Sequence, residues 1–161
     1  MSGWYDVAQI CSSGHVVNDS VRAFSQNNRQ FCDKCGSPTI TSCPNCSKEI
    51  RGRWHFENVV GAIPYVRPAY CSNCGKPFPW TERAINAAQQ YASEVITLSD
   101  EERGELSRSI PDLVHDSPSA TISQSKFKRL VTKAGKETAG VLREILINVA
   151  SDAAKKSLWG Q

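Results

Sequence analysis

Four pairs of residues with the character of metal ligands stand in the first half of the chain: Cys11 with His15, Cys32 with Cys35, Cys43 with Cys46, and Cys71 with Cys74. Zinc takes four thiolate or imidazole ligands in structural sites, and one tight turn can present two ligands spaced three or four positions apart to the same ion. Eight ligands therefore predict two tetrahedral sites and two zinc ions per chain. All seven cysteines are consumed, together with one of the three histidines. The turns agree with this. CDKCG and CSNCG place Gly36 and Gly75 where the chain must bend around a metal, and CPNC carries Pro44 inside its turn. CSSGH is a looser spacing, and His15 is assigned as a ligand because Cys32 and Cys35 otherwise lack partners. Two pairings use the same spacings. The sequential one (first pair with second, third with fourth) is favoured by the short link from Cys35 to Cys43, and an interleaved, cross-braced one stays open.

Sites with four protein ligands are closed, whereas a catalytic zinc keeps one position for water or substrate. No cysteine is left over as a free nucleophile. The chain has no glycine-rich phosphate loop, HExxH helix or GxSxG elbow. His55, among the aromatics of Arg53-Trp54-His55-Phe56, reads as a strand-surface imidazole, and His115 as a solvated loop residue. The sequence predicts a protein that is not an enzyme.

The elements that must position these ligands are short. Through residue 80 the chain reads as strands and turns, with alternation from Trp4 to Ile10 and further strands over Ile50 to Phe56 and Tyr65 to Tyr70. The expected fold class is small metal-stabilised β ribbons, a double zinc ribbon over residues 1–80, followed by an α-helical region over residues 81–161. Cys46 to Cys71 is long enough for a hairpin whose tip is expected near Asn58 to Ala62. So small a ribbon has little apolar interior, so metal binding is expected to supply its folding free energy.

After Trp80 the cysteines vanish and Ala, Glu, Lys and Leu take over. A helix is predicted over Thr81 to Ile96, and a second starts at a Ser99/Glu102 capping box and ends near Pro111. A third starts at Ser117 with Pro118 in its first position. From Thr138 to Trp159 apolar residues recur at helical spacing over about six turns, roughly 33 Å. That stripe is too wide for a solvated helix. Packing within the chain and packing on a partner both satisfy it; the reading adopted is a homo-oligomer in which Leu142, Ile145 and Val149 meet their counterparts.

Arg51, Arg53, Trp54, Phe56, Tyr65 and Arg67 are the best candidates for a binding surface, because guanidinium and aromatic groups on one hairpin can stack on bases and contact phosphates. The same aromatics also serve as a miniature core. Residues 1–80 hold eight Lys/Arg against five Asp/Glu, and residues 81–161 hold eleven of each. That bias is too mild for a nucleic-acid signature. The Lys126 to Lys136 cluster reads as a solvated face. A protein-interaction or adaptor role is therefore favoured, with an unknown protein or the chain itself as partner and nucleic-acid regulation as the alternative.

The segments WYDVAQIC, GHVVNDS, FCDKCGSPTIT, CPNC, IRG and YCSNCGKPFPWTE, from residue 4 to about 82, resemble a family of small bacterial proteins described as a domain of unknown function. The resemblance implies a bacterial, intracellular double zinc ribbon with the ligands named above, and it brings no activity. The family pattern CxNGH stands here as CSSGH, with Ser13 replacing Asn. The start MSGWYDVAQI lacks the basic flank and apolar core of a secretory signal. No apolar stretch approaches the roughly 18 residues of a membrane span. A reducing, cytoplasmic location is expected.

Overall fold

The computed structural model describes residues 2–57 and 63–161; the hairpin tip expected at Asn58 to Ala62 lies outside the described residues. Its contacts divide the chain into two compact units, Met1–Glu82 and Arg83–Gln161. The composition break near Trp80 falls in the first turn of a helix that begins at Pro79.

Among its described residues the first unit holds five short strands: β1 (Gly3–Val7), β2 (Gln9–Cys11), β3 (Val16–Asn18), β4 (Thr39–Ile40) and β5 (Arg51–Phe56). The alternation from Trp4 to Ile10 does not make one strand. It divides at the fully buried Ala8, whose N–H donates to the Ile50 carbonyl at 2.9 Å. On one side β1 pairs antiparallel with β5, and on the other β2 lies between β3 and β4. Gly52 sits where these segments cross. A Cβ there would come within 2.4 Å of the Asp19 carbonyl oxygen and 2.7 Å of the Val7 carbonyl carbon, both backbone, so only glycine fits.

The expected strand from Tyr65 to Tyr70 is not formed, and β5 takes β1 as its partner instead of folding back on that segment. Pro64 and Pro68 lack the N–H groups a ladder needs. Tyr65 still meets β5, but through its side chain, the hydroxyl donating to the Arg51 carbonyl at 2.7 Å. Among the described residues, the buried apolar side chains of this unit other than cysteine are Val7, Ala8, Ile10, Ile50, Phe78 and Trp80. That is a small core, and the four buried cysteines Cys11, Cys32, Cys43 and Cys71 lie within it.

The helices are α1 (Pro79–Ser93), α2 (Asp100–Val114), α3 (Ala120–Ala134), α4 (Lys136–Leu146) and α5 (Asp152–Trp159). The capping box forms as the spacing predicts: Glu102 N–H donates to Ser99 Oγ at 3.2 Å, and Ser99 N–H to Glu102 Oε2 at 3.0 Å. Pro111 does not end α2, which runs on to Val114. A proline leaves the carbonyl four residues earlier without its helical donor, and that carbonyl, Ser107 O, accepts from Gln89 Nε2 of α1 at 3.1 Å. Pro118 stands in the turn before α3 rather than in its first position, with Ala120 N–H donating to the Ser117 carbonyl at 3.0 Å.

The long helix expected over Thr138 to Trp159 is two helices. Ser151 breaks it: its Oγ accepts from Ala154 N–H at 3.2 Å as an N-cap, and its own N–H donates to the Leu113 carbonyl at 2.9 Å. The break redirects the stripe, so that Leu142 (0% exposed), Leu146 and Val149 (5%) are core of the helical unit with Leu106, Ile110, Leu113 and Leu130, while Ile145 is half-buried. Leu142 and Val149 are thus internal, which corrects their assignment to an oligomer interface. Among the described residues, no helix is long and apolar enough to cross a membrane.

Candidate metal centres

Each ligand pair sits on a knuckle, and the three CxxC knuckles share one backbone pattern. The N–H of the first cysteine donates to the carbonyl five residues on, Cys32 to Ser37 at 2.9 Å, Cys43 to Lys48 at 2.8 Å and Cys71 to Lys76 at 2.9 Å. The N–H four residues on donates back to that cysteine's carbonyl, from Gly36 at 2.8 Å, Ser47 at 2.8 Å and Gly75 at 2.9 Å. The returning residue must turn left-handed, with φ of 70° at Gly36, 63° at Ser47 and 71° at Gly75. Isolated bridges close each knuckle below the turn, Phe31 with Pro38, Ser42 with Glu49 and Tyr70 with Pro77. The CSSGH knuckle is tighter. Gly14 N–H donates to the Cys11 carbonyl at 2.8 Å with φ at 93°, and His15 N–H points to Cys11 Sγ at 3.2 Å.

These knuckles bring together Cys11, His15, Cys32 and Cys35 in one cluster and Cys43, Cys46, Cys71 and Cys74 in another, with the ligand atoms of each cluster within 4.8 Å of one another. This is the sequential grouping. In the first cluster Cys11 Sγ lies 3.8 Å from Cys35 Sγ and 3.5 Å from His15 Nδ1, with Cys32 Sγ 3.6 Å from the same nitrogen. In the second, Cys43 and Cys74 approach to 3.7 Å, and Cys46 and Cys71 to 3.6 Å. A disulfide bond is about 2.05 Å long, so these sulfurs are unbonded. Ligand sulfurs 2.3 Å from the centre of a tetrahedron are separated by an edge of about 3.8 Å, and replacing one by an imidazole nitrogen at 2.0–2.1 Å shortens that edge to about 3.5 Å. The observed separations match both edges. Each cluster can hold one metal ion, with all four tetrahedral positions supplied by the chain.

The first cysteine of each knuckle is buried, and the second is exposed or half-buried. The electrostatics follow this division. Burial pushes the Cys43 thiol up to about 11 and raises that of Cys11. The Ser37 hydroxyl and backbone N–H hold Cys35 down to about 5, and Ser13 contributes in the same direction. The Lys76 N–H and the Asn45 amide hold Cys74 down to about 6, and the Lys48 N–H and the Asn73 amide lower Cys46.

Sequence reasoning missed these donors. Asn45 belongs to the third knuckle and serves a cysteine of the fourth, and Asn73 of the fourth serves a cysteine of the third. The available signal was an Asn at the same place in CPNC and CSNC. On the first cluster Ser13 Oγ meets Ser37 Oγ at 3.0 Å.

The basic-aromatic set is divided by the fold. Arg53 is engaged by Asp19, its Nε and Nη2 donating to Oδ2 at 2.9 and 2.5 Å. Arg67 is turned inward, Nη1 donating to the Gly14 carbonyl beside the first knuckle. Trp54 makes edge contacts with Tyr5 and Phe56 at 4.5 and 5.9 Å between centroids, while Trp4 and His55 stack at 4.7 Å in the alternate register of the ribbon. The Arg51 guanidinium lies 4.8 Å over the Tyr5 ring. His55 Nε2 stands 3.1 Å from Ser20 Oγ and 3.7 Å from Asp6 Oδ2; Ser20 and Asp6 are buried. Asp6 in turn accepts the N–H groups of Val7, Arg22 and Ala23 and so clamps a loop.

The chain belongs to the family described as an uncharacterized protein conserved in bacteria (DUF2321), whose model matches residues 4–158 and so takes in both units. No curated protein matches the chain, and no solved structure does.

Proposed function

We propose that this is a non-catalytic zinc protein. A double zinc ribbon, holding one zinc on Cys11, His15, Cys32 and Cys35 and one on Cys43, Cys46, Cys71 and Cys74, acts as a platform for a partner protein. The observation that carries this is the gathering of four ligand atoms in each set, with the Cys11–His15, Cys11–Cys35, Cys32–His15, Cys43–Cys74 and Cys46–Cys71 separations matching the edges of closed zinc tetrahedra. Iron competes for four thiolates, and the imidazole in the first set favours zinc. Thiolates left unbonded by disulfides suit a reducing compartment, the cytoplasm.

The non-catalytic part rests on what the reactive groups are engaged in. All seven cysteines belong to the two sets. The Ser–His contact between Ser20 and His55 is made by a serine that is 0% exposed. A nucleic-acid role for the β5 face draws less support than a protein partner, because Arg53 and Arg67 are engaged internally. Elemental analysis of protein purified without added metal is expected to return two zinc ions per chain, falling to one in Cys74→Ser. One ion per native chain, or stoichiometric iron, overturns the proposal.

A further inference from the structure

Beside β5 lies a cleft of about 530 Å³, walled by Tyr5, Arg51 and Trp54 on the strand side and by Ile63, Tyr65 and Val66 on the other. A cleft of this size lies within the range of small-ligand pockets and can equally seat a few side chains of a peptide, so its charges and lining have to decide. Its apolar rim is in water: Tyr5 is 49% exposed, Ile63 60% and Val66 78%. Exposed aromatic and aliphatic side chains lining one cleft suit a docking surface, and Trp, Tyr and Arg are the residues that dominate interface energetics.

The charges decide what fits. Glu49 is held by Arg22 and Arg53 by Asp19. Arg51 forms no ion pair among the described residues, and its guanidinium lies over the Tyr5 ring. The cleft therefore offers one uncompensated cation beside an apolar surface. A single cation is too little for a phosphate backbone, where affinity comes from several neutralised phosphates. It does match one carboxylate, which a guanidinium can bind through two parallel hydrogen bonds. We propose that this cleft docks an extended segment of a partner protein in which an acidic residue stands next to a large apolar one, the carboxylate on Arg51 and the apolar side chain between Trp54 and Val66. This rests on the platform reading above and names the chemistry of its partner.

The test is selection from a displayed library of random twelve-residue peptides on the full-length, metal-replete chain. Enrichment of Asp or Glu beside Leu, Ile, Phe or Trp is expected. Synthetic copies of the enriched peptide should shift the amide resonances of Tyr5, Trp54 and Val66. They should bind Arg51→Glu at least tenfold more weakly, and Val66→Asp, a change at a solvent-exposed position that the fold tolerates, should weaken them in the same direction. No enriched motif, a motif indifferent to both substitutions, or shifts confined to other residues overturns the proposal. So does displacement of the peptide by oligothymidine, which would mark a nucleic-acid site, or shifts of the free protein that grow with its own concentration, which would mark a second copy as the occupant. Metal content is read on the same sample. Two zinc ions without peptide binding sinks the docking site alone, and peptide binding without two zinc ions sinks the zinc assignment alone.

Discussion

Asn45 and Asn73 exchange amides across the second cluster, each serving a cysteine that its own knuckle does not hold. An N–H donated to sulfur stabilises the thiolate over the thiol, and metal binds the thiolate. Removing the donor raises the thiol's affinity for a proton, so the proton displaces the metal at a higher pH. Asn45→Ala and Asn73→Ala are each expected to lower zinc affinity at the second cluster by about tenfold or more and to move acid release of one zinc, followed with a colorimetric chelator, to higher pH. Release unchanged from the native protein would assign the amides no part in holding the metal. The ligands themselves were legible because a knuckle is local, three or four residues in one turn. The amides were not, because their partners lie on a different knuckle and no spacing records that. Ser47 is a second residue-scale feature hidden in the sequence. It occupies the left-handed position that Gly36 and Gly75 hold in the sister knuckles. Left-handed backbone costs an L-residue about 1–2 kcal/mol, and the extra freedom of glycine in the unfolded chain costs back about 0.5–1 kcal/mol. Ser47→Gly should therefore stabilise the zinc-loaded protein by about 0.5–1 kcal/mol, read by denaturant unfolding at fixed free zinc.

At the scale of elements, what was legible was periodicity and what was not was partnership. The Ser99/Glu102 box starts α2 as its spacing requires, since both partners lie within one turn. The apolar stripe from Thr138 to Trp159 was visible too, yet its division at Ser151 turns on a hydrogen bond to the Leu113 carbonyl from another helix. Serine in a helical run competes for backbone groups and favours a cap, so Ser151-Asp152 carried a local signal that the width of the stripe obscured. Likewise β5 was found, but its pairing with β1 across more than forty residues was beyond any local pattern. Pro111 shows the same principle with a measurable coupling. The Ser107 carbonyl that it strands is satisfied by Gln89, and leaving a part-buried acceptor unmade costs on the order of 1 kcal/mol or more. Gln89→Ala should thus destabilise the native helical unit by about 1 kcal/mol. In a Pro111→Ala background, where the new N–H supplies the helical donor, it should cost close to nothing. Equal costs in both backgrounds would mean that the bond from Gln89 does not replace the one proline removes.

For the whole molecule, the two units differ in what folds them. Among the described residues of the first, few buried apolar side chains apart from cysteine are available, while zinc in peptides of this kind contributes about 10–16 kcal/mol per site. The second buries Leu106, Ile110, Leu113, Leu130, Leu142 and Leu146 almost completely without any metal ligand among them. Metal removal should therefore separate the two. With a strong chelator, the first unit is expected to lose its protection against proteolysis and amide exchange, while the far-ultraviolet helical signal and its thermal transition persist. Leu142→Asp is the converse experiment. It places a charge in the core of the helical unit at a position that is fully buried, where an unpaired carboxylate is strongly destabilising. The variant should lose its helical transition while still carrying two zinc ions on a protease-resistant ribbon. If chelation abolishes both signals in one step, or Leu142→Asp releases the metal along with the helices, then the units fold as one cooperative body, and the metal stabilises the helices as well as the knuckles that hold it.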